Sequence, residues 1–235
     1  MRFPQAAGRY LALGSNEMLI EQADSRSGRR KFMQAAVQHF ITEEEYLTAE
    51  RQQDEKHEWH LGECFAMAGS MRWHNLLSSR ILAELVQHLD GKKCTPYMAD
   101  LRLYIEAHRH YVYPDVMVIC NEAAYLTDDM AKDAEIIVEV LSAGTESYDR
   151  GQKFLHYQFV PSLREYVLVS QDVMQVEIYR RQDGKWEYER LMRPEDVLLF
   201  ETVGCTVTLE MLYCGIPLEN SSLSRSIQKL KRHSL

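Results

Sequence analysis

Asp115, Glu139 and Lys153 are the residues whose types and spacing could do chemistry together. Asp115 follows Pro114 in Tyr-Pro-Asp-Val-Met-Val-Ile. A proline lacks an amide donor and so fits a strand edge or a bulge, where side chains are often aimed at a site. Glu139 interrupts Ile-Ile-Val-Glu-Val-Leu (136–141), a run that is apolar on both faces. An ionised carboxylate in such a strand is costly unless a cation or several hydrogen bonds replace its water. Lys153 follows fourteen residues later and can swing its ammonium over the C-terminal end of that strand. Two carboxylates from adjacent strands are the hard oxygen ligands that Mg²⁺ accepts, with water and substrate phosphate completing the shell. Such an ion lowers the pKa of an attacking water, and the ammonium stabilises charge developing on phosphate, which is the chemistry of phosphodiester hydrolysis.

These residues need a scaffold, and the pattern predicts an ordered α/β domain over 42–213. Thr42 and Glu45 form a capping box opening a short helix to about Arg51. Strand character at 58–61 and 64–68, joined through Gly62, predicts a hairpin. From Met71 to Leu89, Leu76, Leu77, Ile81, Leu82, Leu85, Val86 and Leu89 recur at helical spacing, closed by Asp90-Gly91. Strands are expected at 100–105, 112–119 and 136–141, the last central and covered on both sides. A helix over 145–159 stops near Pro161, strands follow at 165–169 and 173–181, and Asp183-Gly184 turns the latter into 185–191.

The 235 residues, 46% hydrophobic, suit one domain with extensions. Residues 1–41 mix Gly, Ser and Gln with a basic run, Arg26 to Lys31, and are expected to be a disordered extension, with Met33 as an alternative start; 214–235 reads as a basic tail. With both ends set aside, the middle carries 17 Lys/Arg against 31 Asp/Glu, a net of about −14. That sign excludes a surface built for non-specific nucleic-acid binding, so a nucleic-acid role must rely on a local groove, a metal or the tails. No apolar run is long enough for a membrane span or a secretion signal, which gives the expectation of a soluble, cytoplasmic protein. The five cysteines show no CxxC pair and read as reduced, mostly structural thiols.

Tyr-Pro-Asp-Val-Met-Val (113–118), Ile-Val-Glu-Val-Leu-Ser (137–142) and Tyr-Asp-Arg-Gly-x-Lys-Phe with Tyr157 (148–157) together resemble the Uma-two family of restriction-endonuclease-like proteins. Thr-x-x-Glu-Tyr-Leu (42–47), Glu-Trp-x-x-Gly-Glu (58–63), His74 and Asp100 agree with it. The resemblance implies a PD-(D/E)XK nuclease-like fold, a mixed sheet flanked by helices. It also implies Asp115, Glu139 and the backbone carbonyl of Val140 as ligands of Mg²⁺ or Mn²⁺, and DNA as substrate. Leu141 stands where the superfamily's lysine lies, and the family's lysine on the following helix corresponds to Lys153; Glu58 matches an acidic residue that holds water at the metal. Ala143-Gly144 replaces the usual Pro-Ser, and no proline precedes Ile136.

Plainer readings stand beside these. Glu139 could sit in a structural salt bridge to Lys153 or Arg150 without catalysis. Tyr157 could simply pack on the sheet, His74 could be a surface or capping residue, and Asp100 could only start a strand. His108 and His110 read as part of a solvated loop. A catalytically silent binding module for nucleic acid or protein on the same fold is the alternative function, and a metal-stabilised structural domain a third. A homodimer would suit double-strand cleavage.

Overall fold

The computed structural model describes residues 9–13, 17–23, 30–35, 40–67 and 71–218. The chain divides into two units, 1–42 and 43–235. In the first, β1 (Arg9–Leu13), β2 (Glu17–Ala23) and β3 (Arg30–Ala35) pair as an antiparallel sheet of their own. Much of the extension expected over 1–41, and the tail beyond 218, lies outside the described residues.

The second unit is built on two six-stranded mixed sheets. After α1 (Glu43–Glu50) come β4 (His57–His60) and β5 (Glu63–Ala66), then α2 (Arg72–Leu89). Next are β6 (Thr95–Met98), β7 (Arg102–Ile105), β8 (His110–Val112), β9 (Val116–Ile119), β10 (Tyr125–Thr127), β11 (Met130–Ala131) and β12 (Ile136–Leu141). A helical segment runs from α3 (Glu146–Tyr148) through a π-helical turn (Asp149–Lys153) into α4 (Phe154–Tyr157). The chain then forms β13 (Glu165–Ser170), β14 (Val176–Gln182), β15 (Lys185–Leu191), β16 (Val197–Phe200), β17 (Cys205–Thr208) and α5 (Leu209–Tyr213). One sheet has the order β10-β11-β7-β8-β4-β5, the other β15-β14-β13-β12-β9-β6, and β16 and β17 pair separately. Among the described residues no helix is long and apolar enough to cross a membrane.

β12 is buried along its whole length, parallel to β13 and antiparallel to β9. Alternation divides its side chains between two cores. Ile136, Val138 and Val140 pack with Leu77, Ile81, Leu85 and Leu89 of α2, whereas Ile137 and Leu141 join Tyr157, Tyr166 and Leu168 on the other face. Glu139 therefore projects into the second face, toward the helical segment that carries Lys153.

The expected strand over 112–119 is two strands in different sheets. β8 ends at Val112, β9 begins at Val116, and Tyr113-Pro114-Asp115 is the crossing between them. Pro114 has no amide for a ladder, so pairing stops there and Asp115 sits where the two sheets meet. Positive φ at Leu61 (50°) with Gly62 (96°), and at Asp183 (49°) with Gly184 (75°), gives the two hairpins the turn twist that matches their strands.

The cysteine expectation differs from the structure. Cys94 and Cys120 form a disulfide, because the β6–β9 pairing that sets Thr95 opposite Ile119 brings the flanking residues within 4.0 Å at Cα. Cys64, Cys205 and Cys214 are free. The bond closes a loop between positions 26 apart, so reduction is expected to lower stability by about 2–4 kcal/mol. Melting with and without a reductant, beside Cys94→Ser, checks this.

Candidate active site

Asp115 is held from three directions. The Val140 amide donates to its Oδ2 at 2.7 Å, His74 Nε2 on the first turn of α2 lies 3.1 Å from the same oxygen, and its own amide points at Glu139 Oε2 at 3.3 Å. Among the described residues the His74 Nδ1 atom is buried without a hydrogen-bond partner, and its Nε2 engages the aspartate. Two carboxylates thus face each other across the open end of the β9–β12 ladder, whose last pair is Val138 with Val116.

Lys153 reaches this point from the π-helical turn. Its Nζ lies 2.9 Å from Glu139 Oε1, 2.9 Å from Glu58 Oε1 and 3.8 Å from Asp149 Oδ1. The wider turn carries both Asp149 and Lys153 inward, and π-turns often occur at functional sites. The Tyr157 hydroxyl donates to Glu139 Oε1 at 2.7 Å. Its ring packs in the core as the plainer reading has it, and its oxygen also fixes the catalytic candidate. Glu58 enters from β4, where Trp59 points the other way and stacks with Tyr46 (6.0 Å between ring centroids), anchoring the strand.

Charge at the site is unevenly satisfied. Burial alone would push the Lys153 ammonium down, but Glu139 and Glu58 more than reverse this, and its pKa lies well above the ordinary value. Glu139 moves up, to about 8, because burial and then the negative Asp115 and Asp149 outweigh the help from Lys153. Burial likewise raises Asp149 despite Lys153. Lys153 thus stays an ammonium, and the surplus of carboxylates over cations falls on Glu139. A divalent cation beside Asp115 and Glu139 would relieve that surplus.

The donor set suits a particular kind of metal. Among the described residues no three His, Cys, Asp or Glu side chains converge as a ready cage, so a zinc-type structural site is not built here. Two adjacent carboxylates are what Mg²⁺ commonly takes from a protein, keeping several waters. Asp115 and Glu139 fit that demand.

The structure thus brings together Asp115, Glu139, Lys153, Glu58, His74 and Tyr157. It does not bring in Asp100, whose exposed carboxylate pairs with Lys56. Sequence reasoning assigned no role to Asp149 or Tyr148, though both lie in the Tyr-Asp-Arg-Gly-x-Lys motif; the spacing of Asp149 and Lys153, one helical turn apart, was the available signal. It also placed His108 and His110 in a solvated loop. His110 is instead 1% exposed on β8. It belongs to a cluster with His60 (4.9 Å between ring centroids) and His156 (5.0 Å), and His108 stacks on His156 at 4.1 Å.

Burial first, and then the neighbouring histidines, lower His110 to about 2 and His156 to about 4. The unfolded chain takes up protons that these folded imidazoles refuse, so their contribution to stability falls as pH drops below about 6.5. His156→Gln is expected to flatten the acid limb of the stability profile between pH 6.5 and 4, measured by denaturant titration.

A search of curated sequences finds two Synechocystis proteins, named slr1290 and sll1609 and described as uncharacterized. The first is 34% identical over 177 residues, covering 75% of this chain and 93% of its own length; the second is 34% identical over 163 residues, covering 68% and 92%. Among solved structures, one described as a putative nuclease belonging to DUF820 from Anabaena variabilis superposes with a TM-score of 0.61 at 16% identity, covering 74% of this chain and 97% of that one. That likeness establishes that the two chains share a fold. The family model Uma2, described as "Putative restriction endonuclease", matches residues 43–211, and this chain belongs to that family.

Proposed function

We propose that this protein hydrolyses phosphodiester bonds of DNA with Mg²⁺ or Mn²⁺. The observation that carries the reading is the reach of Lys153: one ammonium from the helical segment lies 2.9 Å from both Glu139 and Glu58, beside an Asp115 pinned to the Val140 amide. Asp115 and Glu139 would hold the ion. In an extended strand the N–H and C=O of one residue point the same way, so the Val140 carbonyl is directed to the Asp115 side and is a third candidate donor. The bound ion would supply Lewis acidity, lowering the pKa of water and offsetting phosphate charge.

The residues themselves divide the remaining work. Lys153 donates to the scissile phosphate as charge develops, in a place where burial strengthens the interaction. Glu58 orients the attacking water and is placed to take its proton. His74 and Tyr157 hold Asp115 and Glu139 in position. The net negative charge of the domain favours a localised contact over broad backbone binding.

Incubating the full chain with plasmid and single-stranded DNA in Mg²⁺, Mn²⁺ or EDTA tests the reading. Cleavage with either metal and none in EDTA is expected. Nucleic acid retained without cleavage in any metal would favour the silent binding module.

A further inference from the structure

The strand pairing that builds the candidate site continues to the edge of the sheet. Glu139 lies in one cross-strand row with Leu168, Glu177 and Arg190, and Ile137 begins the next row with Tyr166, Tyr179 and Tyr188. Arg181 and Trp186 form a third. Positions two apart on a strand share a face, so all three rows lie on the face that carries Glu139. Aromatic rings run along that face from the carboxylate outward. Tyr157, which donates to Glu139, packs on Tyr166 at 5.3 Å between ring centroids, and Phe154 stacks on Tyr166 at 5.0 Å. Phe154 also meets Tyr179 at 4.6 Å and Trp186 at 5.3 Å, and Tyr179 meets Tyr188 at 5.2 Å. Burial falls along this line: Tyr166 is fully buried, Tyr179 and Trp186 are half-buried, and Tyr188 is 53% exposed.

Charge is sorted by the same alternation. Lys185, Glu187 and Glu189 of β15 occupy the opposite face, where Glu189 pairs with Arg180. On the aromatic face Glu177 is taken by Arg150 from the π-helical turn, and Arg190 opposite it is exposed. The Arg181 guanidinium lies 4.7 Å from the Trp186 ring centroid and donates to the carbonyls of Gln158, Val160 and Pro161. Those neutral acceptors fix the guanidinium without cancelling its charge. An acidic domain thus gathers exposed rings and arginines on one face, in line with its buried carboxylate.

We propose that Trp186, Tyr188, Arg181 and Arg190 form a platform for an unpaired DNA strand whose neighbouring segment enters the site at Glu139. The proposal rests on the nuclease reading and narrows its substrate. An exposed ring recognises the face of a base, which is open only where the strand is unpaired and unstacked, and the arginines beside it take the phosphates. The spacing of paired strands puts β15 about 14 Å from β12, within the reach of a short oligonucleotide. A negatively supercoiled plasmid offers such unpaired stretches transiently. Pairing of a second copy along β15 is opposed by Lys185, Glu187 and Glu189, charges of the kind that blunt a sheet edge.

Fluorescence anisotropy of a labelled oligodeoxythymidine, alone and annealed to oligodeoxyadenosine, with the full chain in EDTA reads binding apart from cleavage. The single strand is expected to bind about tenfold tighter than the duplex. Tyr188→Ala should weaken single-strand binding about tenfold and Tyr188→Phe should retain it, since either ring stacks. Arg190→Ala should reduce the slope of log affinity against log salt by about 0.7. Thermal melts confirm that each variant is folded. Equal affinity for the duplex, no binding of either DNA, or single-strand affinity indifferent to Tyr188→Ala would overturn the platform. So would a concentration-dependent dimer that Tyr188→Ala dissolves, which would give the face to a second copy. Single-strand binding through Tyr188 with no cleavage in Mg²⁺ or Mn²⁺ would sink the nuclease reading and keep the platform as a binding surface, whereas metal-dependent cleavage with no strand preference in binding would do the reverse.

Discussion

Lys153→Ala is expected to lower stability by about 3–5 kcal/mol at pH 8, the cost of leaving buried carboxylates without their cation. For a domain of this size that is a fall in melting temperature of roughly 10 °C or more. Glu139, Glu58 and Asp149 all lie within 4 Å of the Nζ that would be lost, and all three are buried. The sign of the pH dependence follows from the same geometry. Burial already raises Glu139 and Asp149, and without the ammonium they bind protons still more readily in the folded state than in the unfolded chain, so acid stabilises the variant relative to the wild type. Its deficit should therefore shrink between pH 8 and pH 5. Glu139→Gln should behave oppositely, since it removes the carboxyl that burial already pushes up to about 8 while keeping an acceptor for Lys153 and Tyr157. It should melt at or above the wild type at pH 8 and be inactive. Thermal melts of both variants at the two pH values check the pair; a Lys153→Ala protein as stable as the wild type at pH 8 would show that the carboxylates do not depend on this cation.

Mn²⁺ is expected to raise the melting temperature of the wild type and to leave Asp115→Ala unmoved. An ion at about a hundred times its Kd contributes roughly 2.7 kcal/mol, several degrees for this chain. The effect should be as clear with Mg²⁺ at higher concentration and should be reversed by EDTA. Asp115→Ala and Glu139→Ala should also lose cleavage by about a thousandfold or more, since the Lewis acid we propose they hold would supply several kcal/mol of transition-state stabilisation. Equal metal stabilisation in wild type and Asp115→Ala would place the ion elsewhere.

Much of this arrangement was legible in the chain. A six-residue apolar run with one acid reads as a covered central strand, and β12 is fully buried with Glu139 inside it. The apolar residues of α2 at helical spacing predict its buried face; Leu77, Ile81, Leu85 and Leu89 form it, Leu76 and Leu82 flank it, and Val86 is exposed. These features are local, set by period and turn chemistry. What escaped was long-range. Pro114 marks an interruption, but only the tertiary fold shows that the chain changes sheets there. His110 lies among polar neighbours, and its burial comes from His156, 46 positions away. The Cys94–Cys120 bond likewise depends on strand pairing that spacing alone does not reveal. Tyr148 stands in the same motif as Lys153, and its contact with Glu58, 90 positions away, arises only in the fold.

The most direct measurement is plasmid cleavage in Mn²⁺ by the wild type beside Asp115→Ala, Glu139→Ala and Lys153→Ala, each confirmed folded. The wild type should nick or linearise the plasmid and EDTA should stop it, while all three variants leave it intact. Cleavage that persists in any of the three, or a folded wild type that cleaves nothing, would contradict the assignment of this site as a metal-dependent nuclease centre.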